Sequence, residues 1–256
     1  MTTDKAIMPS TDLQTKISTD TLLGGQVTIL QPMEGYRAAI DPVLLAASVL
    51  AKSGQHVLDV GSGTGAVAMC LANRVPGLAI TGVDADAGYC DLARQSIALN
   101  QLDIDILQGD LFSLPAALQN RRFDHVVSNP PYWSPENNRP AAASRRGAHF
   151  LDGVSLTDWV AACLRRVANK GVLSLIVPAE RVDVAMAAMV GKVGNLCILP
   201  LWPKKGVQAK RVILQATHGS GAGAHVSAGL VLHDQNDSYT PEAQRILHDG
   251  RALDCL

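Results

Sequence analysis

Short apolar runs alternate with amphipathic stretches along most of the chain, and turns rich in glycine or polar residues separate them. Each apolar run has the length of a buried strand, and each amphipathic stretch repeats its apolar residues at helical spacing. The predicted strands cover 56–60, 78–85, 104–110, 123–129, 171–178, 195–202 and 211–219, with a late strand within 228–234. The predicted helices cover 41–51, 64–73, 86–100, 155–170, 179–190 and 241–250.

This order of elements predicts an α/β fold with a Rossmann-like, doubly wound, mostly parallel sheet of seven strands. The last two long strands follow each other without a helix, so we expect one antiparallel strand at an edge of the sheet. Upstream, a hairpin is predicted around Gly24 and Gly25, and Asp41 with Pro42 is typical of a helix start. The segment 219–229, rich in Gly, Ala and Ser, is predicted to be a flexible loop.

These elements predict a flexible arm at 1–19 and a single domain at 20–256. Within that domain we expect a small N-terminal hairpin and helix extension at 20–54, followed by the main sheet at 55–256. Hydrophobic residues make up 47% of the chain, which is enough for a sizeable core.

Charge and cysteine content exclude several classes of protein. The net charge of -1 gives no general attraction to nucleic acid, so any such contact depends on local basic patches. The five cysteines lack CxxC pairs and zinc-ligand spacing, the seven histidines are scattered, and no metal site is predicted. There is no apolar leader and no run of about 18 apolar residues. We therefore expect a cytoplasmic protein with reduced cysteines and no membrane contact.

A glycine-rich turn, "LDVGSGTGAVA", joins the first strand of the sheet to its helix. Gly61, Gly63 and Gly65 allow tight turning and close approach to a ligand, and ligands of open α/β sheets bind beside such turns. Asp84, at the end of the next strand, suits the ribose hydroxyls of a nicotinamide cofactor or of S-adenosylmethionine (SAM) equally well. Asp59 favours a positively charged cofactor, because a carboxylate at this point would repel a pyrophosphate.

Two further motifs end later strands. Asp110 in "GDLF" is a candidate acceptor for an adenine amino group, or a cap for the following helix. "SNPPYW" begins at Ser128, and its two prolines remove two backbone donors and fix two φ angles. The segment therefore holds the Asn129 amide and the Tyr132 ring in fixed relation.

The order and spacing of "DVGSGTG", Asp84, "GDLF" and "SNPPY" resemble class I SAM-dependent methyltransferases. The resemblance implies SAM as cofactor, bound by Asp59, Gly61, Gly63, Gly65, Asp84, Asp110 and Leu111. In that family N-P-P-Y marks transfer to a conjugated nitrogen, either adenine N6 or a glutamine side-chain amide. The Asn129 oxygen and the Pro130 carbonyl would hold the two amino hydrogens, and Tyr132 would stack on the target.

A closer resemblance rests on "GYRAAIDPVLLAASV", "NPPY" and "KRVILQA". These segments look like those of bacterial tRNA (adenine-N6)-methyltransferases that modify the adenosine beside the anticodon of a valine tRNA. It implies an RNA substrate, expected to be a tRNA, and places Asp41 near the cofactor, although Asp41 as a helix cap is an equal alternative. The segment at 219–229 and the slightly negative net charge depart from what an RNA-binding member would lead us to expect.

Other readings remain open at this point. A protein glutamine-N5 methyltransferase acting on a release factor is the main alternative, although such enzymes carry a longer helical N-terminal domain. A SAM-binding protein without catalysis would not need Asn129 and Tyr132, and a nicotinamide oxidoreductase leaves the N-P-P-Y motif unexplained. The oligomeric state, monomer or homodimer, is not indicated.

Basic residues cluster in two places that this topology puts at the carboxyl end of the sheet. Arg139, Arg145 and Arg146 follow the N-P-P-Y motif. The second cluster, beside Trp202, comprises Lys204, Lys205, Lys210 and Arg211. Both are candidate phosphate contacts for RNA, with Trp202 available for stacking, or else ordinary solvated loop charges.

Overall fold

A computed structural model describes residues 16–131 and 154–253. The N-terminal extension begins with an antiparallel hairpin of β1 (Ile17–Leu22) and β2 (Val27–Pro32). Its turn is a short 3-10 segment, Leu23–Gly25, as the glycine pair predicts. β1 thus begins at Ile17, within the predicted arm and before the predicted domain boundary at residue 20.

The main sheet and its helices follow in the alternating order that the pattern predicts. The strands are β3 (His56–Val60), β4 (Ala79–Asp84), β5 (Ile104–Gln108), β6 (Phe123–Ser128), β7 (Val167–Pro178), β8 (Val193–Lys204), β9 (Arg211–His218), β10 (His225–Val226) and β11 (Leu230–His233). The helices are α1 (Ile40–Ser48), α2 (Ala66–Arg74), α3 (Ala87–Leu99), α4 (Ala116–Gln119), α5 (Leu156–Leu164), α6 (Val182–Met189) and α7 (Pro241–Leu247).

The sheet has nine strands in the order β10-β8-β9-β7-β6-β3-β4-β5, with β11 also pairing with β8. The α/β class and the mostly parallel sheet are confirmed. The strand order reverses between β3 and β6, and the connections that leave these two neighbours run in opposite directions. Their carboxyl ends therefore border the crevice where open α/β sheets bind ligands.

The predicted position of the antiparallel strand is wrong. β9 is antiparallel to its neighbours, but it lies between β7 and β8 and not at the edge. The connection through α6 carries β8 two positions away from β7, and β9 returns to fill the position between them. A strand that follows its hairpin partner can pair on its free side as well, and sequence order does not indicate that second pairing.

The segment 219–229 runs along the outer edge of β8. The Asn195 amide donates to the Ala222 carbonyl at 2.9 Å, and the Ser227 amide donates to the Ile198 carbonyl at 2.9 Å. Small residues permit this approach, because a Cβ built on Gly229 would lie 2.3 Å from the Pro200 carbonyl oxygen. β10, which lies within this segment, and β11, which follows it, raise the strand count above the predicted seven.

The predicted helix 155–170 is too long. A capping box between Ser155 and Asp158 begins α5 as expected, but the helix ends at Leu164 and β7 starts at Val167. The Phe123 amide donates to the Arg166 carbonyl at 2.9 Å, and Val167 pairs with Phe123. Pairing with β6 therefore overrides the helical pattern at 165–170.

Two apolar cores lie on the two faces of the sheet. Val57 points into the core packed against α1, α2 and α3, while the next residue, Leu58, points into the core packed against α5 and α6. This alternation fixes which side chains of β3 can reach either face. No helix in the described ranges combines the length and apolar character needed to cross a membrane.

Candidate active site

A cavity of about 520 Å³ lies beside the glycine turn, at the carboxyl ends of β3, β4 and β6. Its volume is in the usual range for a site that encloses a small molecule. The N-terminal extension contributes one wall, from Gly35 to Pro42. Helices α3 and α5 contribute Tyr89 and Trp159.

The glycine turn is held against β4. The Gly61 and Ser62 amides both donate to the Val83 carbonyl, at 2.9 and 3.1 Å. Gly61 has φ +68°, and a Cβ at this position would lie 3.2 Å from the Trp159 ring, so glycine is required for both space and backbone conformation. Gly61 and Gly63 line the cavity, whereas Gly65 faces Ala93 of α3 and begins α2.

Asp84 lies at the end of β4 and lines the cavity, as predicted for a ribose acceptor. Its two carboxylate oxygens accept hydrogen bonds from the Gly63 amide at 2.8 Å and the Asp86 amide at 2.9 Å. Burial raises the pKa of this carboxyl. Asp84 therefore also fixes the shape of the glycine turn.

Asp59 lies on β3 behind the glycine turn and is 1% exposed. It is not among the residues that line the cavity. Desolvation raises the pKa of its carboxyl to about 7, and its Oδ2 has no hydrogen-bond partner among the described residues. A direct contact between Asp59 and a ligand in this cavity stays a prediction.

Asp110 and Leu111 form the side of the cavity beyond β5. The Asp110 Oδ1 accepts a hydrogen bond from the Phe112 amide at 2.9 Å, so the carboxylate closes a local turn. The next helix, α4, begins only at Ala116, so Asp110 does not cap it. Its position on the cavity wall remains compatible with binding an adenine amino group.

Asn129 follows β6 and projects into the cavity from the opposite side. Its Nδ2 donates to the Tyr36 hydroxyl at 3.1 Å. Its Oδ1 is buried, and no hydrogen-bond partner for it occurs in the ranges that the structure describes. Upstream, the Ser128 hydroxyl donates to the Val60 carbonyl at 2.8 Å and accepts from Trp159 Nε1 at 3.1 Å. These bonds fix the end of β6 against β3.

The rest of the N-P-P-Y motif is only partly described. Pro130 is buried, and Pro131 lines the cavity. Tyr132 lies outside the described residues, as do Arg139, Arg145 and Arg146 of the first basic cluster.

Asp41 forms an ion pair with Arg211, with 2.9 Å between Asp41 Oδ2 and Arg211 Nε. Both residues line the cavity. The helix-cap interpretation of Asp41 is wrong, because Ala39 is the N-cap of α1 and Asp41 lies in the first turn. Arg211 Nε is bonded to a carboxylate of the cavity wall, and its contact with a phosphate stays a prediction.

The remaining basic residues lie at the carboxyl end of β8 and in the turn that joins it to β9. Lys205 and Lys210 are exposed. Lys204 Nζ lies 2.7 Å from a carboxylate oxygen of Asp237, which reduces its availability to a phosphate. Within the described part of the chain, no group of three side chains is arranged as metal ligands.

Sequence reasoning missed three aromatic residues of the cavity: Tyr36, Tyr89 and Trp159. Tyr89 and Trp159 belong to helices that the pattern predicts, but periodicity alone gives them the role of core residues. Tyr36 lies in the quoted "GYRAAID" segment, so the segment was identified but not the residue. Its contact with Asn129 spans 93 positions of sequence, which no local pattern can reveal.

The cavity fits SAM. It lies next to a turn shaped for close backbone approach, and Asp84 borders it at the end of β4. Three of the residues that line it, Ser62, Thr64 and Asn129, each carry a buried side-chain oxygen without a partner in the described ranges, and so does Asp59 behind the glycine turn. Buried polar atoms without partners are rare in proteins, so these atoms indicate a polar ligand.

Comparison with known proteins gives consistent results. The sequence model of the methyltransferase small domain matches residues 40–146, from α1 through the glycine turn to beyond β6. The chain is 27% identical over 239 residues to a tRNA1(Val) (adenine(37)-N6)-methyltransferase of Porphyromonas gingivalis, covering 89% of this chain and 93% of that protein. A protein of the same name from Aeromonas hydrophila is 27% identical, covering 80% of this chain and 85% of its own length.

Among solved structures, one described as a predicted O-methyltransferase, protein Atu636 from Agrobacterium tumefaciens, superposes with a TM-score of 0.68. It is 27% identical in sequence and covers 83% of this chain and 97% of its own. The similarity thus spans most of the chain and is not confined to the glycine turn.

Proposed function

We propose that this chain, which is a SAM-dependent methyltransferase, transfers a methyl group to the N6 amino group of an adenine in RNA, and that the RNA is a tRNA. The enzyme class and the cofactor are the premise. The acceptor atom and the RNA are the proposal.

One observation carries the choice of acceptor. Asn129 borders the cofactor cavity, and its Oδ1 is a buried hydrogen-bond acceptor without a partner among the described residues. An unpaired buried acceptor costs about 1–3 kcal/mol, which a ligand bearing an N–H donor would recover. A conjugated amino group brings such donors, and adenine N6 is one.

The chemistry requires an acceptor at this point. SAM, when bound, supplies a methyl group on a positively charged sulfur that is open to attack. An adenine amino group is a weak nucleophile, because its lone pair is delocalised into the ring. The Asn129 oxygen accepts one amino hydrogen, which orients the nitrogen and stabilises the positive charge that develops on it. Burial strengthens this interaction, because little water competes.

Other residues would bind the rest of the cofactor and the target base. The glycine turn and Asp84 would bind the ribose side of the cofactor, and Leu111 would pack against its adenine. Pro130 would offer a second acceptor through its carbonyl, and Tyr132 would stack on the target base. These two roles rest on the sequence motif.

The choice of tRNA rests on two supports. Relatives that align over most of the chain carry the name of a tRNA1(Val) adenine-37 enzyme. Lys205 and Lys210 are exposed at the carboxyl end of the sheet, which is also the end where the cavity opens. Phosphates close to a flipped-out adenine would lie within reach of that end.

A glutamine side-chain amide carries the same kind of amino group, so the Asn129 oxygen would serve a protein glutamine equally well. The product distinguishes the two substrates. Purified protein would be incubated with SAM carrying a deuterated methyl group, together with total tRNA or with cell protein.

We expect deuterated N6-methyladenosine in the nucleoside digest of the tRNA, detected by mass spectrometry. Label found only on protein glutamine would overturn the RNA assignment. Label found only on guanine, cytosine or ribose would overturn the adenine assignment. In both cases the enzyme class would stand.

A further inference from the structure

Tyr36 of the N-terminal extension contacts the side-chain amide of Asn129, the acceptor proposed above. The Asn129 Nδ2 donates to the Tyr36 hydroxyl at 3.1 Å, while the other end of the same amide, Oδ1, has no partner in the described ranges. The two ends of this side chain therefore lie in different environments. One end is held by the extension, and the other is buried without a partner among the described residues, in a side chain that borders the cavity.

This asymmetry matters because an asparagine amide rotates easily between two orientations. The terminal torsion of Asn is broad and roughly two-fold, so an unrestrained amide can present either NH2 or oxygen to the cavity. Only the oxygen can accept a hydrogen from an amino group. In the orientation that the structure shows, the Tyr36 hydroxyl accepts from the NH2 end, which leaves the oxygen as the end that can accept from a substrate amino group.

Tyr36 is itself fixed by neighbouring bonds. Its backbone amide donates to the Tyr89 hydroxyl at 3.2 Å. The Ala38 amide donates to Gln31 Oε1 at 2.6 Å, which ties the segment to β2. Its ring lies above the glycine turn, with 3.7 Å between a ring carbon and a Cβ built on Gly63. The hydroxyl is thus presented from a segment anchored on both sides.

We propose that Tyr36 is a positioning residue that orients the Asn129 amide, so that its oxygen faces the substrate. The N-terminal extension is thereby part of the active site and not only a structural addition. The inference rests on the proposed role of Asn129 as acceptor. It applies to any acceptor that carries a conjugated amino group.

The direct test uses the side-chain amide resonances of Asn129. Their pair of ¹⁵N–¹H peaks is assigned by its loss in Asn129→Ala, in protein without substrate. In Tyr36→Phe we expect these peaks to shift and their exchange with water to speed up, because the hydroxyl acceptor is gone. Tyr239→Phe is the matched control, since Tyr239 stacks on His233 away from the cavity. Unchanged Asn129 peaks in Tyr36→Phe would overturn the proposal.

Kinetics test the consequence on the substrate that the enzyme accepts, whether RNA or protein. Tyr36→Phe should lower kcat by about 3- to 10-fold, the value of one neutral hydrogen bond, and leave KM and SAM affinity nearly unchanged. In an Asn129→Ala background, Tyr36→Phe should have no further effect, because its action passes through that amide. A full additional loss in the double variant would contradict the positioning role.

The two proposals fail in different ways. If the product is not N6-methyladenosine, the proposed function fails, while the resonance test and the double-variant comparison still decide the role of Tyr36. If N6-methyladenosine forms and Tyr36→Phe changes neither the resonances nor kcat, only the positioning role is overturned.

Discussion

Asp59 combines full burial with a titration near neutral pH. Its pKa is raised from 3.8 to about 7 by desolvation. A carboxyl whose pKa rises on folding binds a proton that the unfolded chain has released. The free energy of unfolding contributed by Asp59 therefore falls as the pH rises from about 4 to about 7. At about 1.4 kcal/mol per pH unit, the loss across this window is about 4 kcal/mol.

We predict that Asp59→Asn removes this pH dependence. The free energy of unfolding of the variant, relative to the parent, should rise from pH 4 to about pH 7 and then level off, measured by urea denaturation. Burial lowers the pKa of His125, so its contribution to the free energy of unfolding falls at acid pH in both proteins. This contribution therefore cancels in the difference. Parallel curves for the two proteins would show that Asp59 does not titrate in this range.

At the scale of single residues, the sequence identified the residues of the cavity better than the contacts that hold them in place. Gly61, Asp84 and Asn129 were found because each follows a strand in a recognisable motif. Some of the bonds that hold the cavity wall join distant parts of the chain, as in the pairs Tyr36–Asn129 and Asp41–Arg211. Local patterns carry no information about such contacts, so they could not decide between the two roles offered for Asp41, of which the helix cap is wrong.

Among the elements, the glycine turn is constrained in two separable ways. Gly61 and Gly206 both have positive φ, +68° and +81°, which costs a residue with a side chain about 1–2 kcal/mol. A Cβ on Gly61 would also press on Trp159, whereas one on Gly206 would meet nothing within 4 Å. Gly206 is therefore a control for backbone strain alone.

We predict that Gly61→Ala loses SAM affinity and destabilises the fold, while Gly206→Ala causes only the backbone cost. Calorimetric titration with SAM and thermal unfolding of both variants measure the two effects. If SAM affinity were the same in Gly61→Ala as in the parent, the turn would not be the cofactor's binding surface.

The boundaries of helices and strands were predicted well where a turn residue marks them. They were predicted poorly where the pairing between strands determines them. The glycine hairpin and the start of α5 at Ser155 agree with the sequence pattern. The end of α5 and the place of β9 depend on which strands pair, and that competition is settled by the whole sheet. The same holds for 219–229, whose small residues indicated a loop but allow close pairing with β8.

On the scale of the whole molecule, charge at the two ends of the sheet provides a test of RNA binding. Lys205 and Lys210 lie at the carboxyl end of the sheet, whereas Lys52 and Lys192 precede β3 and β8 at the amino end, and all four are exposed. Phosphate contacts are salt-dependent because bound counterions are released.

We predict that replacing Lys205 and Lys210 together with alanine weakens tRNA binding and flattens its salt dependence, with SAM affinity unchanged. Replacing Lys52 and Lys192 should change neither quantity. The binding constant for tRNA is plotted against salt concentration for both double variants. If the two pairs had equal effects, Lys205 and Lys210 would be ordinary solvated charges and not phosphate contacts.

The central claim is that the Asn129 oxygen accepts a hydrogen bond from the acceptor amino group during methyl transfer. One comparison tests this claim most directly. The single-turnover rate of methyl transfer to tRNA is measured for the parent and for Asn129→Ala, with SAM affinity measured in parallel by calorimetry. We predict a rate lower by about 10²-fold or more, the scale seen when one positioned transition-state hydrogen bond is lost, with SAM affinity nearly unchanged. An unchanged rate, or a loss explained entirely by weaker SAM binding, would contradict the account.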